Sequence, residues 1–240
     1  MTQNNNLITD PVVSAQQPHK YLGILGMIWV SIYIIGTFTA LKTFAIGSVV
    51  FSVGIIAYPF VYIFADIFTE VYGYRVTRKI VWTGFGCLLL TSVLAYLYSL
   101  VPSTDSFASN EAFNLIFRAA PLVALGALVA NFSGELTNSY IVAKLKILTQ
   151  GRHEWLRLVS STFFGQLVDN SIFFTTAALA AAWYTPAELF PLVISSVLFC
   201  TIWEVLALPI TRRVIAFLKR KEGLDTYDRG TNFNPFSLRQ

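Results

Sequence analysis

The sequence predicts an all-α, polytopic membrane protein with six transmembrane helices and both termini in the cytoplasm. Of its 240 residues 55% are hydrophobic and only 12% are charged, about half the charged share of a soluble domain. The apolar residues are grouped in stretches of about 20, the length that a helix needs to cross a bilayer core of about 30 Å. The positive charges are distributed as the orientation rule for membrane proteins requires.

The chain divides into a membrane domain between two tails. Residues 1–20 are polar and lack periodicity, so they are predicted to form a disordered cytoplasmic tail. One Lys then precedes a full-length apolar run, which indicates a retained helix and not a cleaved signal peptide. A six-helix transmembrane domain is predicted at residues 21–217, and a second cytoplasmic tail at residues 218–240.

Six apolar segments define the spans in chain order, and aromatic residues mark several of their ends. Trp82, Trp155, Trp183 and Tyr184 are placed as an interfacial aromatic belt would place them. The predicted spans are residues 21–41, 46–70, 80–101, 118–143, 158–183 and 190–216.

The positive charges support this span count. Of the 17 Lys and Arg residues, only Lys42 and Arg118 fall on the side away from the termini, which leaves 15 on the terminal side. This bias predicts cytoplasmic termini. It also accounts for the net charge of +4, because the cations are spread over several loops. The lipid bilayer is therefore the expected partner, and nucleic acid is not.

The residues that usually carry catalysis or hold metals are sparse. Cys87 and Cys200 both lie in apolar stretches and are interpreted as small hydrophobic side chains. No cofactor or metal is expected, because no Cys/His cluster occurs. His19 and His153 fall in loops away from the membrane interior. Neither a metalloprotease motif nor a nucleophile-elbow motif is present, so the chain is not expected to be an enzyme.

Five carboxylates occur inside the predicted spans, where charged groups are costly and usually functional. Four of them, on four different helices, lie eight to twelve residues from the nearest cytoplasmic cation, or about 12 to 18 Å along a helix. These four, Asp66, Glu135, Asp169 and Glu204, are therefore predicted near the bilayer midplane, where secondary transporters bind their substrates. Glu70 lies closer to Arg75, and this pair is interpreted as a gating contact or ion pair.

Amide side chains share the faces of these acids. Asn131, Glu135 and Asn138 have i, i+4, i+7 spacing, and Gln166 and Asn170 lie within a turn of Asp169. Such a lining suits a small, planar, hydrogen-bonding solute. The amides could instead simply bond between helices, for about 0.6 kcal/mol each. The predicted substrate-binding residues are Asp66, Asn131, Glu135, Asn138, Gln166, Asp169, Asn170 and Glu204.

Four ordered stretches resemble a known family of membrane proteins, the bacterial queuosine precursor transporters, also called the vitamin uptake transporter family. The resemblance runs from about residue 22 to 236. The stretches are "YPFVYIFADIFTEVYGYRVTRKIVW", "SGELTNSYIVAKLKILTQGRHEWLR", "SSTFFGQLVDNSIFF" and "WEVLALPITRRVIAFLKRKEGLDTYDRGTNFNPF". Two positions depart from the family pattern: Thr37 stands where relatives often have Asn, and Cys200 where relatives often have Lys.

The resemblance implies a six-helix transporter that imports 7-deazaguanine precursors of queuosine across the bacterial inner membrane. It places Asp66, Glu70, Glu135, Asn138, Asp169 and Glu204 at the polar motif positions of the family. A carboxylate is a suitable acceptor for the adjacent N–H donors of a guanine-like edge.

Two other functions are open. The chain could be a substrate-capture subunit that depends on a separate ATPase, since it has no nucleotide-binding P-loop of its own. An intramembrane enzyme is a third, less favoured alternative. A homo-oligomer is left open, as are the preferred precursor and the choice between proton coupling and facilitated diffusion.

Overall fold

A computed structural model describes residues 7–40, 42–47, 49–104, 107–181 and 186–237. These residues form a helical bundle with one small hairpin. Trp183 and Tyr184, predicted for the aromatic belt, lie outside the described residues. The elements are α1 (Pro11–Gln16), α2 (Leu22–Thr39), β1 (Thr43–Ile46), β2 (Val49–Ser52), a 3₁₀ turn (Val53–Ile56), α3 (Tyr58–Tyr72), α4 (Tyr74–Ser99), α5 (Asn110–Leu148), α6 (Glu154–Ala181) and α7 (Pro186–Glu222).

The hairpin corrects the second predicted span. Residues 46–57 were predicted to begin a helix, but β1 pairs with β2 in antiparallel register and the 3₁₀ turn follows. The segment is rich in β-branched and aromatic residues, which favour strands. Gly47 supplies a φ of 61° at the turn, and the rings of Phe44 and Phe51 stack across the hairpin at 5.6 Å. Helix α3 therefore begins only at Tyr58.

The all-α class is confirmed for the rest of the described chain. Three helical segments are long and apolar enough to cross a membrane, namely Leu22–Thr39, Tyr74–Ser99 and Leu189–Glu222. Helix α3 has only 15 residues, and α5 and α6 contain acids and amides that lower their hydropathy. The count of six spans and the cytoplasmic side of the termini therefore stay predictions.

Helix α3 is the most buried element of the bundle. Of its 15 residues, 12 are buried, because α3 packs against α2, α4, α5 and α7. The apolar part of this core includes Trp29 and Tyr33, whose rings stack at 5.3 Å, together with Phe68 and Phe85. The polar side chains of α3 consequently face other helices inside the bundle.

The two terminal regions meet at one end of the bundle. Ile8 forms a parallel β-bridge with Leu224, and Ser14 of α1 hydrogen-bonds Thr226 at 2.8 Å between the two hydroxyl oxygens. Part of the predicted disordered tail is thus the helix α1 in this structure. The division into tail, membrane domain and tail remains a prediction.

Candidate functional site

Four acids, one from each of α3, α5, α6 and α7, are buried inside the bundle. We call Asp66, Glu135, Asp169 and Glu204 the acid layer. All four are at most 5% exposed. Asp66 is close enough to Glu204 and Glu135 for their charges to interact, and Glu135 interacts in the same way with Asp169. The structure therefore brings together the four acids that the sequence places at one depth.

Two glycines allow α5 and α6 to approach closely at this layer. A Cβ added to Gly134 would lie 2.5 Å from the Tyr62 hydroxyl and 2.6 Å from Asp169 Cβ. A Cβ added to Gly165 would lie 3.0 Å from Asn138 Cβ and 3.1 Å from the backbone oxygen of Gly134. Contacts this short leave no room for a side chain. The bare backbones thus let the polar side chains of α3, α5 and α6 meet.

Hydrogen bonds tie part of the layer together. Asn138 Nδ2 donates to Asp66 Oδ1 at 2.7 Å, which links α5 to α3. The Tyr62 hydroxyl donates to Asp169 Oδ2 at 3.0 Å, which links α3 to α6. Each bond uses only one carboxylate oxygen, so the acids keep acceptor capacity for another partner.

Several buried polar atoms around the layer have no hydrogen-bond partner among the described residues. Buried polar groups in native proteins are almost always paired, so each exception needs an explanation. In a binding protein, atoms that await a ligand are a direct explanation. The unpaired atoms are Asp66 Oδ2, both carboxyl oxygens of Glu135, Asn138 Oδ1, Thr162 Oγ1, Gln166 Nε2 and Glu204 Oε1.

The remaining predicted amides lie toward the hairpin side of the layer. Asn131 donates to the Tyr33 hydroxyl at 3.3 Å, and Asn170 donates to the Gln166 side chain at 2.6 Å. Gln166 and Asn170 line a cavity of about 30 Å³ together with Tyr58 and Cys200. That volume holds about one water molecule, so cargo of any larger size needs a more open conformation. Larger grooves of about 690 and 440 Å³ contain no member of the acid layer.

Glu70 lies at the end of α3 near the termini and is surrounded by cations. It accepts two hydrogen bonds from Arg157, at 2.9 and 2.7 Å. Its Oε1 also lies 2.6 Å from Lys219 Nζ and 3.3 Å from Lys146 Nζ. We call these four residues the basic cluster. Among the described residues no ion pair joins Glu70 to Arg75, so the ion pair predicted for Glu70 exists with other partners.

The segment after α7, residues 224–236, covers the basic cluster. Asp225 Oδ1 lies 2.8 Å from both Lys146 Nζ and Lys219 Nζ. Burial alone would raise the pKa of Asp225, but the two ammonium groups outweigh it, and this pKa lies below its ordinary value. Thr226 Oγ1 donates to the Val71 backbone oxygen at 3.0 Å. The segment thus closes this end of the bundle.

The far part of this segment is held by α4. Asp228 Oδ2 accepts from the Tyr74 backbone N–H at 2.9 Å, which satisfies one of the free donors at the start of that helix. The buried guanidinium of Arg78 donates to the backbone oxygens of Asn232 and Asn234. Trp82 Nε1 donates to the Pro235 backbone oxygen at 2.9 Å. A tail that the sequence leaves without a structural role is thus bonded residue by residue to the bundle.

Sequence reasoning missed several residues of these sites. Tyr62 precedes Asp66 by one helical turn, so i, i+4 spacing could have indicated it. Lys146 follows Glu135 by about three turns on the same face of α5, but its charge was counted only as an orientation signal. Nothing in the local sequence indicates that Lys219 meets Glu70, because that contact joins residues 149 positions apart. The same holds for Asp225 and Lys146, which are 79 positions apart.

A buried layer of acids and amides inside a bundle with membrane-length apolar helices is typical of membrane transport proteins. Comparison with known families agrees. Residues 52–214 match the family described as "Putative vitamin uptake transporter", and the chain belongs to that family. It is therefore a transporter of small molecules and not an enzyme, and the family assignment made from the sequence motifs is confirmed.

Three similar bacterial proteins carry names that are more specific. The chain is 29% identical over 164 residues to a "Probable queuosine precursor transporter" of Bacillus subtilis (strain 168), covering 67% of this chain and 72% of the relative. It is 27% identical over 173 residues to a protein of the same name from Haemophilus influenzae, covering 67% and 70%. It is 25% identical over 172 residues to the "Queuosine precursor transporter" of Escherichia coli (strain K12), covering 67% and 75%. No solved structure matches the chain significantly.

Proposed function

We propose that this protein imports queuosine precursors of the 7-deazaguanine type across the inner membrane of a bacterium, and that the acid layer binds them. The names of the three relatives support this substrate class. The observation that carries the proposal is the set of unpaired acceptors in a buried site. A guanine-like edge presents adjacent N–H donors, and a carboxylate is a matching acceptor.

The predicted binding residues have distinct tasks in this proposal. Asp66, with Oδ2 unpaired, and Glu204, with Oε1 unpaired, accept from the N–H groups of the base. Asn138 and Gln166 each retain an unpaired atom, an acceptor oxygen and an amide donor respectively, for the rest of the ring. Asn131 and Asn170 hold the site together through Tyr33 and Gln166. Glu70 closes the path at the end near the termini, and a gating role for Arg75 stays a prediction.

Uptake of labelled precursors tests the proposal in bacterial cells that lack their own importer. We expect the wild-type chain to restore uptake, and Asp66→Asn or Glu204→Gln to lower it by about tenfold or more, because a hydrogen bond to a charged group is worth about 1.5–3 kcal/mol. Glu111→Gln is the matched control, since this acid is exposed in the first turn of α5. Uptake that is equal in all four proteins would contradict the role of the acid layer.

The alternative is a substrate-capture subunit that depends on a separate ATPase. Purified protein in liposomes separates the two functions, because only a self-sufficient transporter exchanges internal unlabelled precursor for external labelled precursor. We expect exchange from this chain alone. Precursor binding without any exchange would favour the capture subunit.

A further inference from the structure

Glu135 is the one member of the acid layer with both carboxyl oxygens buried and unpaired among the described residues. It is 1% exposed, and neither of its carboxyl oxygens has a hydrogen-bond partner among the described residues. By contrast, Asp66 accepts from Asn138 and Asp169 accepts from Tyr62. Glu135 is therefore the acid for which a negative charge would cost most.

The groups that face the layer supply no positive charge. The titratable groups nearest to the layer, and those within it other than Glu135, are Tyr33 from α2, Tyr58, Tyr62, Asp66 and Glu70 from α3, Asp169 from α6, and Cys200 and Glu204 from α7. Among the described residues, every ion pair goes to Glu70, Asp225 or Glu154, and none goes to an acid of the layer.

Acids in this setting cannot all be ionised. Burying an isolated carboxylate is expensive unless it is paired and hydrogen-bonded. Neighbouring carboxylates that share a site also disfavour each other's charge. The layer therefore holds at least one proton, and Glu135 is its favoured position.

We propose that the proton on Glu135 is transported together with the cargo, so that the protein is a proton symporter. This inference rests on the proposed function, because it uses the chemistry of a deazaguanine. A neutral carboxyl group has one O–H donor and one carbonyl acceptor. It therefore matches a lactam edge, donating its proton to the ring carbonyl and accepting from the adjacent N–H.

One transport cycle moves one proton and one cargo molecule. Glu135 takes a proton from the side where the cargo enters, and the neutral carboxyl binds the lactam edge. When the site opens to the other side, water replaces the cargo and stabilises the ionised form of Glu135. Glu135 then releases its proton to that side. No other bond is made or broken.

Wild-type protein in liposomes tests this symport. Exchange of labelled for unlabelled 7-deazaguanine precursor, with equal pH on both sides, measures cargo transport alone. An acidic exterior, with the membrane potential clamped by potassium and valinomycin, should then drive accumulation of precursor above its external concentration. An enclosed pH-sensitive dye should report acidification that depends on added precursor.

The outcomes separate this inference from the proposed function. Exchange without precursor-dependent acidification and without pH-driven accumulation would overturn the symport but leave the proposed function intact. Absence of exchange for every precursor would overturn the proposed function instead, and the symport with it.

The variant Glu135→Gln assigns the proton to a residue. Gln cannot release a proton, so we expect the exchange that this variant retains to be independent of pH, with no acidification of the interior. Asp169→Asn is the comparison, since it changes another acid of the layer. We expect it to slow exchange while the remaining transport still responds to the pH difference. Coupling that survives in Glu135→Gln would overturn the assignment.

Discussion

At the scale of single residues, the surroundings of an acid decide what it does. Asp66 and Glu70 are one helical turn apart on α3 and are both fully buried. Glu70 meets three cations, whereas Asp66 meets an amide and other acids. A buried carboxylate therefore forms a structural ion pair at Glu70 and keeps an unpaired acceptor oxygen at Asp66.

Replacing Glu70 should destabilise the protein. In Glu70→Gln, Lys146, Arg157 and Lys219 lose a buried carboxylate partner. Removing one member of a buried ion pair costs about 3–5 kcal/mol, so we expect a clearly lower Tm in detergent. Arg75→Gln is the control, because among the described residues Arg75 forms no ion pair. If both variants melt at the same temperature, the basic cluster does not stabilise the fold.

At the scale of elements, the crossing of α5 and α6 positions the acid layer. Gly134 and Gly165 bring the two backbones together, and Tyr62 of α3 packs against both glycines. A helix pair with larger residues at these positions would separate, and it would carry Glu135 and Asp169 apart. The glycines therefore determine the geometry of the site without contributing a functional group.

A methyl group at Gly134 should disrupt this crossing. We expect Gly134→Ala to destabilise the protein by about 1–3 kcal/mol, as overpacking does, and to reduce precursor binding. Gly126→Ala on the same helix is the matched control, since its Cβ would only touch Thr176 Cγ2 at an ordinary 3.8 Å. Thermal unfolding and binding measured on both variants check this. A Gly134→Ala protein with the stability and affinity of Gly126→Ala would show that the helices do not pack as described.

The segment at residues 224–236 is a second element whose position bears on transport. It lies over the basic cluster, and we propose that cargo passing between the acid layer and this end of the bundle moves beneath it. Ser14 and Thr226 hold the segment to α1 through their hydroxyl groups, 2.8 Å apart. Cysteines at these two positions are therefore candidates for an engineered disulfide.

Locking the segment should stop transport. In Ser14→Cys/Thr226→Cys, with Cys87 and Cys200 replaced, we expect oxidation to abolish precursor uptake and reduction to restore it, because the closed segment can no longer move. The single variant Thr226→Cys controls for oxidation alone. Crosslinked protein that transports at the rate of this control would show that the segment stays in place during transport.

At the scale of the whole molecule, the contact between the terminal regions limits the topology. Ile8 pairs with Leu224, so these two regions lie on one side of any membrane that the bundle crosses. The loop between α4 and α5 lies at the opposite end of α4 from Arg78, whose guanidinium binds the segment after α7. The predicted cytoplasmic termini therefore imply that this loop faces outward.

Labelling of single cysteines in intact cells tests this orientation. In a chain that lacks Cys87 and Cys200, we expect a membrane-impermeant maleimide to label Ser103→Cys directly. It should label Gln17→Cys only after the membrane is permeabilised. Both positions are exposed in the structure, so a difference in labelling between them would come from the membrane and not from burial in the fold. Labelling of both positions from outside would rule out the predicted topology.

The sequence by itself determined the class of the protein and most residues of the candidate site. Apolar runs of membrane length predict helices, because lipid requires every backbone polar group to be bonded within its own segment. The bias of the cations predicts how these helices are oriented. The cost of charge in the membrane identified Asp66, Glu135, Asp169 and Glu204. The spacing of four motifs identified the family.

Only the tertiary structure decided which polar groups are partners. Lys219 reaches Glu70 across more than half of the chain, and Asp225 pairs with Lys146 and Lys219. Tyr62 reaches Asp169 only because two glycines let α5 and α6 approach. The covering segment after α7 is likewise defined by long-range contacts. Pairing of buried groups depends on how helices pack, and packing is a property of the whole bundle that no local pattern in the sequence records.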